Sequence, residues 1–127
     1  DLPMAMTAHI VFSAIDDLPA TTSPKIMDLI RTDMGYDGLI MTDDIAMQAL
    51  SGTIGERSAA SMAAGCDVIL HCNGIMSEMQ DVAAAAGALR QDGDRRAKQA
   101  LLQRHSPDTI DIEAAIAEFD ALMTANG

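Results

Sequence analysis

The chain has 127 residues, the size of one ordinary domain, and 49% of them are hydrophobic, so a packed core is expected and disorder is not. Its 19 acidic side chains against 8 basic ones leave a formal charge of −11. That balance argues against a nucleic-acid groove and against an anionic membrane surface, since both need clustered Lys and Arg.

No run approaches the ~18 or more apolar residues of a membrane span, and no charged-then-apolar leader opens the chain. A cytoplasmic protein with a solvated acidic face is therefore expected. Only 2% of residues are aromatic and none is Trp, so the core must come from Ala, Ile, Leu, Val and ten Met. Cys66 and Cys72 are not in C-x-x-C spacing and cannot make a disulfide framework; both are expected as buried free thiols of a reducing compartment.

The first apolar run, Met4 to Phe12, is nearly continuous in hydrophobicity, as a parallel strand covered on both faces would be. An exposed loop, Ser13 to Thr22, leads to a well-punctuated helix. Ser23 is its candidate N-cap, Pro24 suits the first helical position, Ile26, Leu29, Ile30 and Met34 recur near helical spacing, and Gly35 follows the end. The second strand, Leu39 to Asp43, is followed by a helix from Glu56 to Ala64 that Gly65 closes. The third strand, Val68 to Cys72, is covered by an Ala-rich helix over Val82 to Leu89. A turn around Gln91 to Asp94 and a helix from Arg95 to Arg104 come next. The last helix has Asp111 as N-cap and Ile112, Ala115, Ile116, Phe119, Leu122 and Met123 on one face. This α/β alternation predicts a parallel sheet with right-handed crossovers.

In such folds the chemistry gathers at the carboxyl ends of the strands. Here the first strand carries His9 and leads into Ser13 and Asp16, the second ends in Thr42, Asp43 and Asp44, and the third ends in His71, Cys72 and Asn73. A lone Asp at a strand end is often the cap of the next turn. Asp44 suits that role, or capture by a backbone N–H, whereas Asp43 is placed to be functional. Neighbours in a strand point to opposite faces, so the pair does not readily aim at one substrate atom. His9, Asp43 and His71 are metal-ligand types, yet no H-x-H, H-x-x-x-H or D-x-D spacing accompanies them. Each histidine also reads as a core-edge residue hydrogen bonded to backbone. No glycine-rich nucleotide cradle is present, and Ser13, Ser51 and Ser61 lack a nucleophile-elbow setting. Cys72 as a nucleophile would need a neighbour that lowers its pKa, and its surroundings are acidic.

The stretches MTAHIVFSAID, TTSPKIMDLIRTDMGYDGLIMTDDIAM and ERSAASMAAGCDVILHCN resemble the C-terminal part of the bacterial β-N-acetylglucosaminidases of glycoside hydrolase family 3. The matching motifs are Met6 to His9, Ser23-Pro24, Gly35 to Met47 and Ala64 to Asp67, in the family's order and intervals, over roughly residues 1 to 90. The resemblance implies a (β/α)8 TIM barrel of which this chain holds strands six to eight, with residues 91–127 as C-terminal helices of the same partial domain, 1–127. It makes Asp43, the first aspartate of the [ST]-D-D motif, the nucleophile of a retaining exo-β-N-acetylglucosaminidase. Attack of that carboxylate on the anomeric carbon forms a covalent glycosyl-enzyme that water cleaves. Asp44 then supports it, and His9 and Met47 line the sugar pocket. The implied substrate is an N-acetylglucosamine-terminated muropeptide of cell-wall recycling. No metal or organic cofactor is implied.

A retaining mechanism also needs a general acid. In the resembling enzymes it is a histidine paired with an aspartate on a loop after the fifth strand, and the sugar-contacting K-H-F-P-G-H-G stretch also lies upstream. Neither motif is here, and His105 in the tail matches neither. A full barrel takes roughly 250 residues. Asp1-Leu2-Pro3 reads as the middle of a longer chain. The expectation is a fragment, inactive alone, that depends on the missing N-terminal part of the barrel or on self-association. Two other readings stand beside this one: a family relative with another β-sugar specificity or with phosphate in place of water, and a non-catalytic module that pairs its edge strands with a partner chain.

Overall fold

The computed structural model describes residues 2–125; Asp1 and residues 126–127 lie outside the described residues. Among the described residues, three strands form one parallel sheet in the order β1 (Met4–Met6), β2 (Leu39–Asp44), β3 (Val68–Leu70). Met4, Ala5 and Met6 pair with Leu39, Ile40 and Met41, and β3 pairs Val68 with Met41 and Leu70 with Asp44. Helices separate the strands, so the parallel α/β architecture expected from the alternation is present.

Both outer strands are shorter than their apolar runs suggest. The first leaves the ladder after Met6. Thr7 N–H still donates to Met41 O, but Thr7 and His9 then bond through their side chains, and Val11 makes only an isolated antiparallel bridge with Pro19. These side-chain bonds to Thr21, 14 and 12 residues away, take the place of the ladder. The third strand stops at Leu70 because Cys72 N–H donates to the Asp44 carboxylate at 3.2 Å instead of to a neighbouring backbone.

The first helix begins as its punctuation predicts. Ser23 Oγ accepts from Ile26 N–H at 3.1 Å and Pro24 opens α1 (Pro24–Asp28). The chain then widens into a π-helical turn, Leu29–Asp33, where Met34 N–H donates to Leu29 O. The extra residue per turn rotates Met34 off the apolar stripe, and it is 68% exposed while Met27 is 2% exposed. Helix α2 (Ile54–Ala64) starts two residues before the expected Glu56 because Thr53 and Glu56 form a reciprocal capping box. Gly65 ends it at φ 125°, a backbone angle that suits a residue without Cβ. Ile40 packs between these helices in a core with Met27, Ala64 and Cys66.

Helix α3 (Met76–Ala86) starts six residues before the expected Val82 and ends before Leu89, at Gly87. Residues 91–94, expected as a turn, are the first turn of α4 (Gln91–Leu102), where Asp92 and Asp94 complement the positive end of the helix dipole. In α5 (Ile112–Ala125), Asp111 Oδ1 accepts from Ala114 N–H as an N-cap should. Its apolar side chains Ile112, Ile116, Phe119 and Met123 are exposed. Among the described residues, no helix is long and apolar enough to cross a membrane.

A buried ion cluster ties the N-terminal end of the sheet. The Asp67 carboxylate accepts from Arg31 at 2.6 Å, from Arg96 at 3.0 Å and from Ile40 N–H at 2.8 Å. Arg31 also donates to Tyr36 O and Gly38 O. On the outside, Asp37 accepts from Arg95 and Arg96, which holds its carboxyl at about 2.

Candidate functional site

The opposite, C-terminal end of β2 carries the aspartate pair. Between Met41 and Asp44 the ladder slips, with three steps on β2 facing two on β3. Thr42, fully buried, repairs the gap: its Oγ1 accepts Leu70 N–H at 2.9 Å, so that buried backbone donor has a partner. Such a bulge re-aims the side chains beside it. Ile40 and Thr42 lie on the helix-covered face. Asp43 alternates onto the other face with Met41 and, by register, with Met4 and Met6 of β1, which are 41% and 54% exposed.

The half-buried Asp43 carboxylate is tethered on one side only. Its Oδ1 accepts Asp44 N–H at 2.8 Å, and among the described residues its second oxygen has no hydrogen-bond partner. Asp44 is held much more fully. Its Oδ1 accepts Ala46 N–H at 3.1 Å and Cys72 N–H at 3.2 Å, as capture by backbone donors requires. Its carbonyl oxygen accepts from His9 Nε2 at 2.9 Å and from Met47 N–H at 3.0 Å. The two carboxylates thus have opposite settings: Asp44 is a structural bracket, and Asp43 keeps one oxygen for something else.

His9 comes from beyond β1 and spends both ring nitrogens on protein, Nε2 on Asp44 O and Nδ1 on Thr21 Oγ1 at 2.7 Å. Met47 is 45% exposed just past the pair. Arg57 of α2 fastens the loop after β2 by donating to Ile45 O, Met47 O and Gly52 O. His71 does not join Asp43; its Nε2 meets Glu78 Oε2 at 2.9 Å, and Glu78, also bonded by Asn73, has its carboxyl lowered, the Asn73 bond first and His71 second. Asp16 is occupied by the Ser23 hydroxyl at 2.6 Å. Cys66 is buried, and burial pushes its thiol up to about 12, so it is inert; Cys72, against expectation, is exposed, because the chain has already left the sheet there.

His9, Asp43 and His71 do not converge as metal ligands, and among the described residues no three His, Cys, Asp or Glu side chains gather as a metal site needs. A cavity of about 650 Å³ lies at the other end of the sheet, beside Arg31, Cys66, Asp67 and Arg96, and a polar pocket sits against Arg57, Asn73 and Glu78. Asp43 lines neither; it stands on the open sheet face. Thr21 and Arg57 carry much of the local geometry, yet nothing in their sequence neighbourhood marks them. Only the fold brings Thr21 beside His9 and Arg57 beside Met47.

A beta-hexosaminidase of Alkalilimnicola ehrlichii is 45% identical over 75 residues, covering 57% of this chain and 22% of that protein. A beta-hexosaminidase of Idiomarina loihiensis is 30% identical over 104 residues, covering 80% of this chain and 32% of that protein. The chain therefore spans between a fifth and a third of the length of these relatives. Among solved structures, a glycoside hydrolase family 3 beta-N-acetylglucosaminidase from Paenibacillus sp. superposes with a TM-score of 0.69 at 25% identity, covering 88% of this chain and 25% of that one. NagZ from Neisseria gonorrhoeae superposes at 0.65 with 29% identity, covering 90% and 32%, and the same protein is known in complex with N-trifluoroacetyl-D-glucosamine. The model of the glycosyl hydrolase family 3 N-terminal domain matches residues 1–101, and the chain belongs to that family.

Proposed function

We propose that this chain is the nucleophile-bearing part of a retaining exo-β-N-acetylglucosaminidase. In this reading, residues 1–90 are strands six to eight of a (β/α)8 barrel with their helices, and residues 91–127 are C-terminal helices of the same domain. The observation that carries it is the one-sided tether of Asp43, with one oxygen fixed by Asp44 N–H and the other unengaged at a strand end. A nucleophilic carboxylate must be held in place and open to the anomeric carbon, and a tether on one oxygen at a strand end supports that reading. Met47 lines the sugar side and Asp44 supports the nucleophile. The names of the relatives support N-acetylglucosamine as the sugar. The acid that protonates the leaving oxygen belongs to sequence outside this chain, and the substrate is a cytoplasmic muropeptide with terminal N-acetylglucosamine.

Covalent trapping tests the reading. The chain is incubated with a fluorinated N-acetylglucosaminide whose leaving group departs without protonation, and the adduct is mapped by mass spectrometry. A single glycosyl label on Asp43, lost in Asp43→Asn, is the expected result. A label on Asp44 would overturn the choice of Asp43, and no label on a folded chain would mean either that this piece does not build the pocket by itself or that the nucleophile lies elsewhere.

A further inference from the structure

We infer that His9 is a positioning residue for Asp43, acting through the Asp44 backbone and not through the sugar; this rests on the reading of Asp43 as nucleophile. The Asp44 backbone is gripped on both sides of its Cα. Its N–H, in the peptide that joins it to Asp43, holds Asp43 Oδ1, and its carbonyl, in the next peptide, receives His9 Nε2 from 35 residues away. Met47 N–H shares that carbonyl and Cys72 N–H holds the Asp44 side chain, so the residue is pinned from the β1 side and from the β3 side together. Removing His9 leaves one side unpinned.

The partners of the ring fix its Nε2 hydrogen and leave two arrangements at Nδ1. A carbonyl can only accept, so His9 Nε2 carries a hydrogen. In the neutral ring Nδ1 is then an acceptor, and its partner must be the Thr21 hydroxyl hydrogen. Thr21 Oγ1 in turn accepts from Thr7 Oγ1–H at 2.9 Å. If the ring gains a proton, Nδ1 donates to Thr21, and Thr21 turns its hydrogen to Ala8 O at 3.1 Å. The Nε2 bond to Asp44 survives in both states. Thr7 and Thr21 are buried, at 8% and 0% exposure, so this network is sheltered from competing water. The arrangement orients a ring toward one backbone atom, as outer-shell partners orient catalytic groups.

Both nitrogens are consumed, so a direct sugar hydrogen bond from His9 would require breaking a protein contact. The two roles differ in kinetics. A positioning role changes the rate of glycosylation at saturating inhibitor, because small displacements of a nucleophile cost up to about a hundredfold. A sugar contact changes the concentration needed for saturation.

The experiment has two arms on the full chain. In the first, imidazole ¹⁵N NMR at pH 8 is expected to show His9 as the Nε2–H tautomer; an Nδ1–H tautomer overturns the inference without any variant. In the second, trapping is timed for His9→Ala and His9→Gln. His9→Ala is expected to slow saturated labelling of Asp43 by about a hundredfold with the half-saturating concentration unchanged, and His9→Gln, which keeps a donor near Nε2, to recover most of that loss. A raised half-saturating concentration with an intact saturated rate would make His9 a sugar contact instead. If the unmodified chain takes no label, amide exchange judges the clamp: Met47 N–H should exchange at least tenfold faster in His9→Ala, and an unchanged rate overturns it.

Discussion

Replacing Asp67 by Asn removes one charge from the buried cluster without opening a cavity. The side chain is 7% exposed and serves two arginines and the Ile40 amide, while Arg31 and Arg96 are 18% and 15% exposed. Arg96 keeps Asp37 as a second carboxylate, but Arg31 loses the carboxylate it pairs with and retains two backbone carbonyls and the Tyr36 ring face. Breaking a buried pair from one side costs about 3–5 kcal/mol, because the remaining charge stays desolvated. The Asn oxygen can still accept one of the three bonds, which places the expected loss near the lower end, about 3 kcal/mol. For a chain of this length that is roughly 10 °C in Tm. Asp37→Asn is the internal control, since Asp37 bonds Arg95 and Arg96 at comparable distances but is 59% exposed, where screening leaves ion pairs with little effect. Thermal and urea unfolding followed by far-UV circular dichroism would read both variants. Equal shifts for the two, or no shift for Asp67→Asn, would refute the argument that burial, and not contact distance, sets the strength of this cluster.

Three further outcomes follow from the same structure. Tyr36 Oη is buried and has no hydrogen-bond partner among the described residues, so Tyr36→Phe should raise the stability read from urea unfolding, by up to about 1 kcal/mol, where a fall would reveal a missed partner. Thr42→Val should cost about 1–3 kcal/mol by orphaning Leu70 N–H, and hydrogen exchange at Leu70 should accelerate more than at Val68. Asp37 has its carboxyl lowered from 3.8 to about 2, first by the Arg95 bond and then by Arg96. A depressed carboxyl stabilises the folded state above its unfolded value and loses that effect as pH falls through the folded one. Any small gap between the urea midpoints of the parent and Asp37→Asn should therefore close between pH 4 and pH 2, and a gap that widens there would contradict the assignment.

Local signals were legible where local chemistry decides. Ser23-Pro24 opened α1 and Asp111 capped α5, because a cap is a bond between near neighbours. The placement of Asp43 at the end of a strand followed from hydrophobic continuity alone. What failed was anything settled by distant partners. The run from Met4 to Phe12 looks like one strand, but Thr21, 14 residues past Thr7, draws its second half into side-chain bonds. The π-helical turn that exposes Met34 has no signature in helical spacing. Cys72 reads as the buried end of an apolar run, yet its amide belongs to Asp44, 28 residues away. His9 shows the same limit: its partners, Thr21 Oγ1 and Asp44 O, lie 12 and 35 residues away.

The ion cluster and the candidate carboxylate sit at opposite ends of the same short strand, Ile40 holding to Asp67 at one end and Asp43 standing at the other. The fastening and the candidate carboxylate thereby occupy separate regions of the sheet. Loops at the carboxyl end can be exchanged over evolutionary time while the salt-linked base goes on dictating the register beneath them. Such a scaffold lets one end vary without asking the fold to be reinvented.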